Sequence, residues 1–365
     1  MKAISLFSGM GGDTLGINQS NIQVCAFNDN NKWCIATHLK NFQDCSLIKN
    51  NDNSDILKIP DHDFEKYKGE VNLIFAGFPC QGFSNAGKKV DNDPRNTMFK
   101  EFHRVSKIIK PEYIIGENVE GLLSRKTTNG ETYIDVIKKE FENIGYTIFY
   151  KVNHMVKFNI PQVRKRLIIV GIRNDIYQKK FTDKNKVFEF PEELNDGKTN
   201  LPNLKNIVKF NMTGAIKIKK EDFDMTSIPS DCILTDNDNQ EEEGEYHPYL
   251  KLKAKSKDIE YKGKSYPKLL SFSKRDSPIH CEIIDIRKPS KTIICTYDHQ
   301  PRLFVPLKNK NGYYLRCLLP DELKQIQGFP ADFELIGNLK QKIVQIGNAV
   351  PPPFIKILVQ HLISY

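Results

Sequence analysis

Short apolar runs alternate with amphipathic stretches along the first half of the chain. "AISLF" (Ala3 to Phe7) reads as a buried strand, followed by glycines and then a helix. "IQVCAF" (Ile22 to Phe27) is a second strand, "NKWCIATHLKNF" a helix and "VNLIFAG" a third strand. In "TMFKEFHRVSKIIK" the spacing places Met98, Phe102, Val105 and Ile109 on one helical face, and Pro111 stops that helix. "YIIGENV" is another strand, and "ETYIDVIKKEFENIG" is a helix closed by Gly145. "RLIIVGI" (Arg166 to Ile172) is a further strand. Continuous apolar strands alternating with such helices predict an α/β fold, a mostly parallel doubly wound sheet with helices on both faces.

The pattern changes after about Arg173. From there to about Leu315 the chain is polar and irregular, with short strand-like pieces. "TDNDNQEEEGEYH" reads as a solvated acidic loop. "KLKAKSKDIEYKGKSYPK" is basic with interleaved tyrosines, and reads either as the lining of a nucleic-acid groove or as a solvated hairpin. From "LLPDELKQIQGFPADF" onward the chain turns helical again. It ends in an apolar stretch suited to packing on the first domain.

Charge and cysteine usage narrow the partners. The net charge is +9, from 54 Lys+Arg against 45 Asp+Glu, which fits a polyanionic partner without requiring one. No apolar run approaches the roughly 20 residues that cross a bilayer, and the N-terminus lacks a signal-peptide pattern. An intracellular, cytoplasmic protein with no membrane partner is expected. The cysteines (Cys25, Cys34, Cys45, Cys80, Cys232, Cys281, Cys295 and Cys317) are scattered, with no CxxC pair and no zinc spacing. Free thiols and no metal are expected.

One thiol stands apart. In "VNLIFAGFPCQGFSNAG", Cys80 comes directly after an apolar run and Pro79. Pro79 stiffens the approach and drives Phe78 to an extended conformation. The sulfur is thus presented at the carboxyl-end rim, where open α/β sheets bind ligands, and is a candidate nucleophile. The tripeptide "GFP" recurs at Gly328 to Pro330 before an alanine, so it is not itself the signal.

"LFSGMGG" (Leu6 to Gly12) follows the first strand, and its glycines allow close backbone approach to a ligand. Asp29, closing the second strand, sits where such a sheet offers a carboxylate to ribose hydroxyls. Together they read as a nucleoside-containing cofactor site. Gly9, Gly11 and Gly12 do not match GxGxxG, which disfavours an NAD-dependent oxidoreductase. "ENV" (Glu117 to Val119) brings a carboxyl and an amide to the same rim. Partial desolvation there favours a protonated, donating Glu117. In "PQVRKR" (Pro161 to Arg166), Arg164 and Arg166 point the same way if the piece is extended. They are placed to hold a phosphate or a polarised ring oxygen.

"FSGMGG", "GFPCQGFS", "ENV", "QVRKR" and "GNAVPPP", in this order, resemble cytosine-5 DNA methyltransferases. The likeness covers the chain apart from about Asn174 to Ile286. It implies a Rossmann-like methyltransferase domain, S-adenosylmethionine as methyl donor with S-adenosylhomocysteine as product, and double-stranded DNA as partner of a monomeric enzyme. By motif matching it implies that Phe7, Ser8, Gly9, Met10, Gly11 and Gly12 surround the donor. Asp29 takes the ribose, Asp55 and Ile56 the adenine, and Pro79, Met98, Asn348 and Val350 line the same site. Cys80 is implied as nucleophile, Glu117 as the group on cytosine N3, and Arg164 and Arg166 as a supporting pair. Asn118 holds the loop or the base edge.

The same resemblance divides the chain into a catalytic domain (1–180), a target-recognition domain (181–315), a hinge (316–340) and a C-terminal helix returning to the catalytic domain (341–365). A restriction–modification setting is expected. Ser5 stands where many members carry an acid, Asp29 replaces a common glutamate, and "RNTM" departs from "RGTL". Two alternatives remain. One is a tRNA cytosine-5 methyltransferase of the same family, which the lack of a "CFT"-like tripeptide disfavours. The other is a non-catalytic DNA-binding relative.

Overall fold

The computed structural model describes residues 1–79, 98–183, 186–220, 224–236, 252–254, 259–261, 264–266, 270–272, 282–297 and 303–365. The first half contains β1 (Lys2–Leu6), α1 (Gly12–Asn18), β2 (Gln23–Asn28), α2 (Lys32–Asn41), β3 (Ser46–Leu47), α3 (His62–Glu65) and β4 (Leu73–Ala76). It continues with α4 (Phe99–Ile109), β5 (Tyr113–Asn118), α5 (Tyr133–Asn143), β6 (Tyr146–His154), β7 (Gln162–Val163), β8 (Lys165–Arg173) and α6 (Asn174–Lys180).

Among the described residues these strands build a seven-stranded sheet in the order β3-β2-β1-β4-β5-β8-β6. The chain moves outward from β1 through β2 to β3, then returns to the other side of β1 as β4. The carboxyl ends of β1 and β4 therefore flank a topological switch point, the usual ligand crevice of an open α/β sheet. β3 to β5 run parallel, while β8 is antiparallel to both β5 and β6. The short connection from β6 to β8 carries no α-helix, too little for a parallel crossover, so the chain turns straight back.

Period-2 alternation sorts the strand residues onto two apolar faces. Ile4, Leu6, Ile74, Ala76, Ile114 and Ile169 pack with Phe64 of α3, Phe102 and Val105 of α4, and Ile137 and Phe141 of α5. Ala3, Leu73, Phe75, Ile115, Ile168 and Val170 pack on the opposite face, with Ile17 of α1 joining them. α4 buries Phe99, Phe102, Val105 and Ile109, the predicted stripe with Met98 shifted to its N-cap. It ends with Lys110 in the left-handed region, directly before Pro111.

The second half contains β9 (Ile216–Ile218), β10 (Leu234–Thr235), β11 (Leu252–Ala254), β12 (Ile259–Tyr261), β13 (Lys264–Tyr266) and β14 (Leu270–Phe272). After these come β15 (Glu282–Ile283), β16 (Ser290–Lys291), β17 (Leu303–Asn309), β18 (Gly312–Cys317), α7 (Pro320–Ile326), α8 (Leu339–Asn348) and α9 (Pro352–Ser364). β10, β17, β18 and β9 form a second sheet, and β15 shares one edge of β17 with β10. β15 pairs with Leu303 and Phe304, and β10 with Leu307 and Lys308. Pro306, which has no N–H to give, falls in the gap between them.

β16 pairs with β7, so "KPSKTI" lies against "PQVRKR". α9 adds Phe354, Ile355, Leu358 and Val359 to the face that holds α1. A Cβ on Gly16 would stand 2.5 Å from the Pro352 carbonyl oxygen, so α1 and α9 meet backbone to backbone. No helix among the described residues is long and apolar enough to cross a membrane.

Candidate active site

The first strand ends in a left-handed turn. Phe7 and Gly9 have φ of +54° and +56°, and Gly11 has φ of +91°. Asp29, just past β2, holds this loop. Its carboxylate accepts from the backbone N–H of Gly9 (2.8 Å) and of Asn31 (2.8 Å). Burial pushes the Asp29 carboxyl up, against the pull of those N–H donors. A Cβ on Gly9 would meet nothing within 4 Å, whereas Gly11 is packed by Phe42 and His38, and Gly12 by Val350 and Phe329. The open ground of the loop is thus at Gly9, beside the Asp29 carboxylate.

Beneath the loop lies a buried polar layer that the sequence did not reveal. Ser5 donates to Asp13, and both side chains are buried. Burial raises the Asp13 carboxyl to about 7. Thr14 Oγ1 is 2.9 Å from His38 Nε2, and the His38 ring stacks on Phe27 with centroids 3.6 Å apart. Burial pushes His38 down to about 3, so it is neutral. An aspartate directly after a glycine pair was a usable signal for Asp13. His38 carried none, because its partners come from other elements.

The remaining donor-site candidates take varied positions. Ser8 is buried, with its N–H on the Asn28 carbonyl. Met10 has its side chain wholly buried in an apolar cluster with Phe329 and Ile346. Asp55 caps the turn Ile56–Lys58, accepting from the Leu57 N–H at 3.2 Å, and Ile56 is buried. Met98 is half-buried at the head of α4. Val350 is buried against Gly12, while Asn348 is exposed at the end of α8. Pro79, half-buried, is the last described residue of its segment. Cys80 lies outside the described residues.

At the end of β5, Glu117 is 9% exposed and its Oε1 lies 2.6 Å from Arg166 Nε. Arginine faces the carboxyl across the β5–β8 ladder. Glu117 also reaches the switch point: a Cβ on Gly77 would lie 3.9 Å from Glu117 Oε2 and 3.6 Å from the Phe7 carbonyl oxygen. The ends of β1, β4 and β5 thus converge on Gly77. Asn118 Nδ2 donates to the Phe78 carbonyl at 3.2 Å, and its Oδ1 accepts from the Val119 N–H at 2.8 Å. Asn118 holds the approach to Pro79.

The two arginines diverge. Arg164 lies between β7 and β8, so the segment is not one extended strand and strict alternation does not apply. Its guanidinium is 1% exposed and donates to the carbonyls of Ile293 (3.2 Å), Gly347 (3.2 Å) and Ala349 (3.0 Å). It ties "KTI" and "GNAV" to the catalytic sheet, while Arg166 alone reaches Glu117. Gln162 reinforces this junction, accepting from the Ile293 N–H and donating to Gln327. No cluster of three His, Cys, Asp or Glu side chains that could hold a metal occurs among the described residues.

Comparison with known proteins agrees with this geometry. Residues 1–364 match the family model described as C-5 cytosine-specific DNA methylase. The chain is 31% identical over 355 residues to the Type II methyltransferase M.PspPI of Psychrobacter sp., covering 95% of this chain and 75% of that one. It is 29% identical over 364 residues to the Type II methyltransferase M.FnuDI of Fusobacterium nucleatum, covering 99% and 94%. Among solved structures, a DNMT2 variant of Spodoptera frugiperda superposes with a TM-score of 0.66 at 18% identity, covering 99% of each chain. The Entamoeba histolytica methyltransferase EhMeth superposes at 0.61 with 20% identity, covering 100% of this chain and 98% of that one. At such identities the structures speak for the fold, a Rossmann-like methyltransferase α/β fold, and the family model speaks for more. Matched over residues 1–364, the chain belongs to the C-5 cytosine-specific DNA methylase family.

Proposed function

We propose that this chain methylates C5 of cytosine within a specific double-stranded DNA sequence, through a transient bond between Cys80 and cytosine C6. The observation that carries the reading is the Glu117–Arg166 pair, set at the same rim as the β4 end that leads through Pro79 to Cys80.

The residues present fit a nucleoside-bearing sulfonium ligand. Gly9 offers open backbone, and Asp29 a carboxylate already fixed by two N–H groups and suited to ribose hydroxyls. Asp55 and Ile56 are assigned to the adenine, and Phe7, Ser8, Gly11, Gly12, Pro79, Met98, Asn348 and Val350 to the rest, with Met10 contributing backbone. S-adenosylmethionine, when bound, supplies a methyl group activated by its sulfonium.

The chain's own residues do the rest. The Cys80 thiolate adds to C6, forming an S–C bond and sending charge onto N3 and O2 of the ring. Glu117, in its protonated form, donates to N3, while Arg166 orients Glu117 and stabilises the charge at O2. C5, now enamine-like, accepts the methyl group. Loss of the C5 proton to a base and cleavage of the S–C bond restore the thiolate and the aromatic ring. Arg164 supports the site from behind by fixing the "GNAV" turn. Asn118 fixes the approach to Cys80.

The target base must leave the duplex, at a cost of a few kcal/mol. Residues 181–315 are assigned to filling the gap and reading neighbouring pairs, residues 316–340 to the hinge and 341–365 to the return onto residues 1–180. Kinship with Type II methyltransferases supports a role as the modification half of a restriction–modification system.

The test begins by methylating a plasmid and mapping the modified cytosines. A duplex carrying 5-fluorocytosine at the mapped position should then form a denaturant-stable adduct with the wild-type chain and none with Cys80→Ser. That variant should still bind DNA and donor. An adduct on another residue, or turnover by Cys80→Ser, would remove Cys80 from the mechanism.

A further inference from the structure

Arg104 lies on α4, away from the groups assigned to chemistry, yet its guanidinium is committed in every direction. Nη2 donates to the carbonyls of Ile56 (3.1 Å) and Ile59 (3.2 Å). Nε and Nη2 both reach Glu101 Oε2, at 2.9 and 2.7 Å, and Nη1 donates to Asp61. The plane stands 5.3 Å from the centroid of the Phe64 ring. Glu101 and Asp61 hold the guanidinium in place, and Nη2 then reaches two backbone oxygens of a single turn.

That turn is short; Ile56 and Ile59 bury their side chains in the same apolar cluster as Phe102 and Val105, and Asn50 Nδ2 donates to the Lys58 carbonyl, so what Arg104 adds is a direct tie from the turn's backbone to α4. Ile56–Lys58 is a single 3-10 turn, capped by Asp55 and closed by the Lys58 N–H on the Asp55 carbonyl and the Ile59 N–H on the Ile56 carbonyl. Its position relative to the sheet is not fixed by strand pairing. α4 is fixed, because Phe102 and Val105 are buried against the sheet. Met98 is the N-cap of the same helix. Arg104 therefore bridges the two segments that carry Asp55 and Ile56 on one side and Met98 on the other.

We propose that Arg104 is a positioning residue of the donor site, setting the distance between the adenine-facing turn Asp55–Ile59 and the head of α4. This rests on the reading of Asp55, Ile56 and Met98 as donor contacts given above. Lysine cannot replace it, since one ammonium cannot span two carbonyls and two carboxylates as a planar fork does.

Arg173 provides an internal comparison. It pairs with Asp175 and donates to the carbonyl of Lys110, the C-cap of α4, so it pins the same helix at its far end. β8 runs antiparallel to β5, which places Arg173 at the opposite rim of the sheet.

The experiment measures binding of S-adenosylmethionine and S-adenosylhomocysteine by calorimetry to the wild-type chain, Arg104→Met, Arg104→Lys and Arg173→Met, with thermal melting of each. Arg104→Met should weaken both ligands about tenfold, the loss of one charged hydrogen bond's worth of positioning. Arg104→Lys should fold and still lose several-fold. Arg173→Met should melt lower with unchanged ligand affinity, and kcat at saturating donor should be unchanged in the Arg104 variants. Wild-type affinity in Arg104→Lys, or an equal loss in Arg173→Met, would overturn the proposal. A wild-type chain that binds neither ligand would instead overturn the functional reading, and this inference with it.

Discussion

Gly12 and Val350 touch so closely that a Cβ at position 12 would stand 2.3 Å from the Val350 carbonyl oxygen. The contact locks the start of α1 to the turn between α8 and α9. Backbone cannot retreat as a flexible side chain can, so Gly12→Ala must displace one of the two. We expect this variant to bind S-adenosylmethionine at least tenfold more weakly and to melt several degrees lower. Gly9→Ala has free space in the unliganded chain but φ of +56°, so its melt should show only the roughly 1 kcal/mol strain of a left-handed alanine, while its methyl stands in the ground left for the donor and should weaken S-adenosylmethionine binding. Calorimetry and thermal melts of both variants distinguish steric from conformational cost.

The Glu117–Arg166 pair predicts coupled kinetic losses. Glu117→Ala removes the proposed donor to N3 and should lower single-turnover methylation by about 10²- to 10³-fold. Arg166→Lys keeps the charge but loses the fork, and should cost less. Because the two groups act as one unit, the double variant should lose far less than the product of the single losses. Full multiplicativity would show that they act separately.

Arg316 and Glu322 form a bidentate pair at 2.7 and 2.8 Å, with Arg316 wholly buried. Arg316 also donates to the carbonyls of Lys209, Asn211 and Cys317, fastening residues 209–211 to β18 and α7. Arg316→Met would strand the Glu322 carboxylate, and should cost about 3–5 kcal/mol in urea unfolding. Arg316→Met with Glu322→Leu should recover much of that loss, since no charge is then left alone.

Asp13 and His38 predict opposite pH slopes. Between 3.8 and about 7 the folded chain holds more proton on Asp13 than the unfolded chain, so this group's contribution to stability falls as pH rises through that window. Between about 3 and 6.5 the unfolded chain holds more proton on His38, so that contribution rises with pH. The two nearly cancel in the wild-type chain. Asp13→Asn should expose the His38 slope, with stability climbing from pH 4 to 6.5. His38→Asn should expose the Asp13 slope, with stability declining from pH 4 to 7. Denaturant midpoints across pH 4–8 check both.

The strands that build the crevice were legible because β1, β4, β5 and β8 are continuous apolar runs, which only a two-face-buried sheet accounts for. β6 was not read. Its middle, with Tyr150 and Lys151 exposed, breaks the apolar run as an edge strand does. The hairpin of β17 and β18 was hidden by Pro306 and its lysines. Glu117 and Arg166 could each be singled out, but not their contact, which depends on β8 inserting antiparallel beside β5. The diversion of Arg164 was illegible for a plainer reason. Its acceptors are main-chain carbonyls of Ile293, Gly347 and Ala349, and a carbonyl leaves no mark on residue identity.

The packing of α9 onto α1 has a consequence for biosynthesis. A nascent chain can form β1, α1 and the donor loop early, but the apolar groove over Ile17 stays open until residues 352–364 have left the ribosome. Closing it joins segments far apart in sequence, a slow step during which that groove is exposed to chaperones and to other chains. Methylation should therefore begin only after residues 352–364 have been made and have docked on α1.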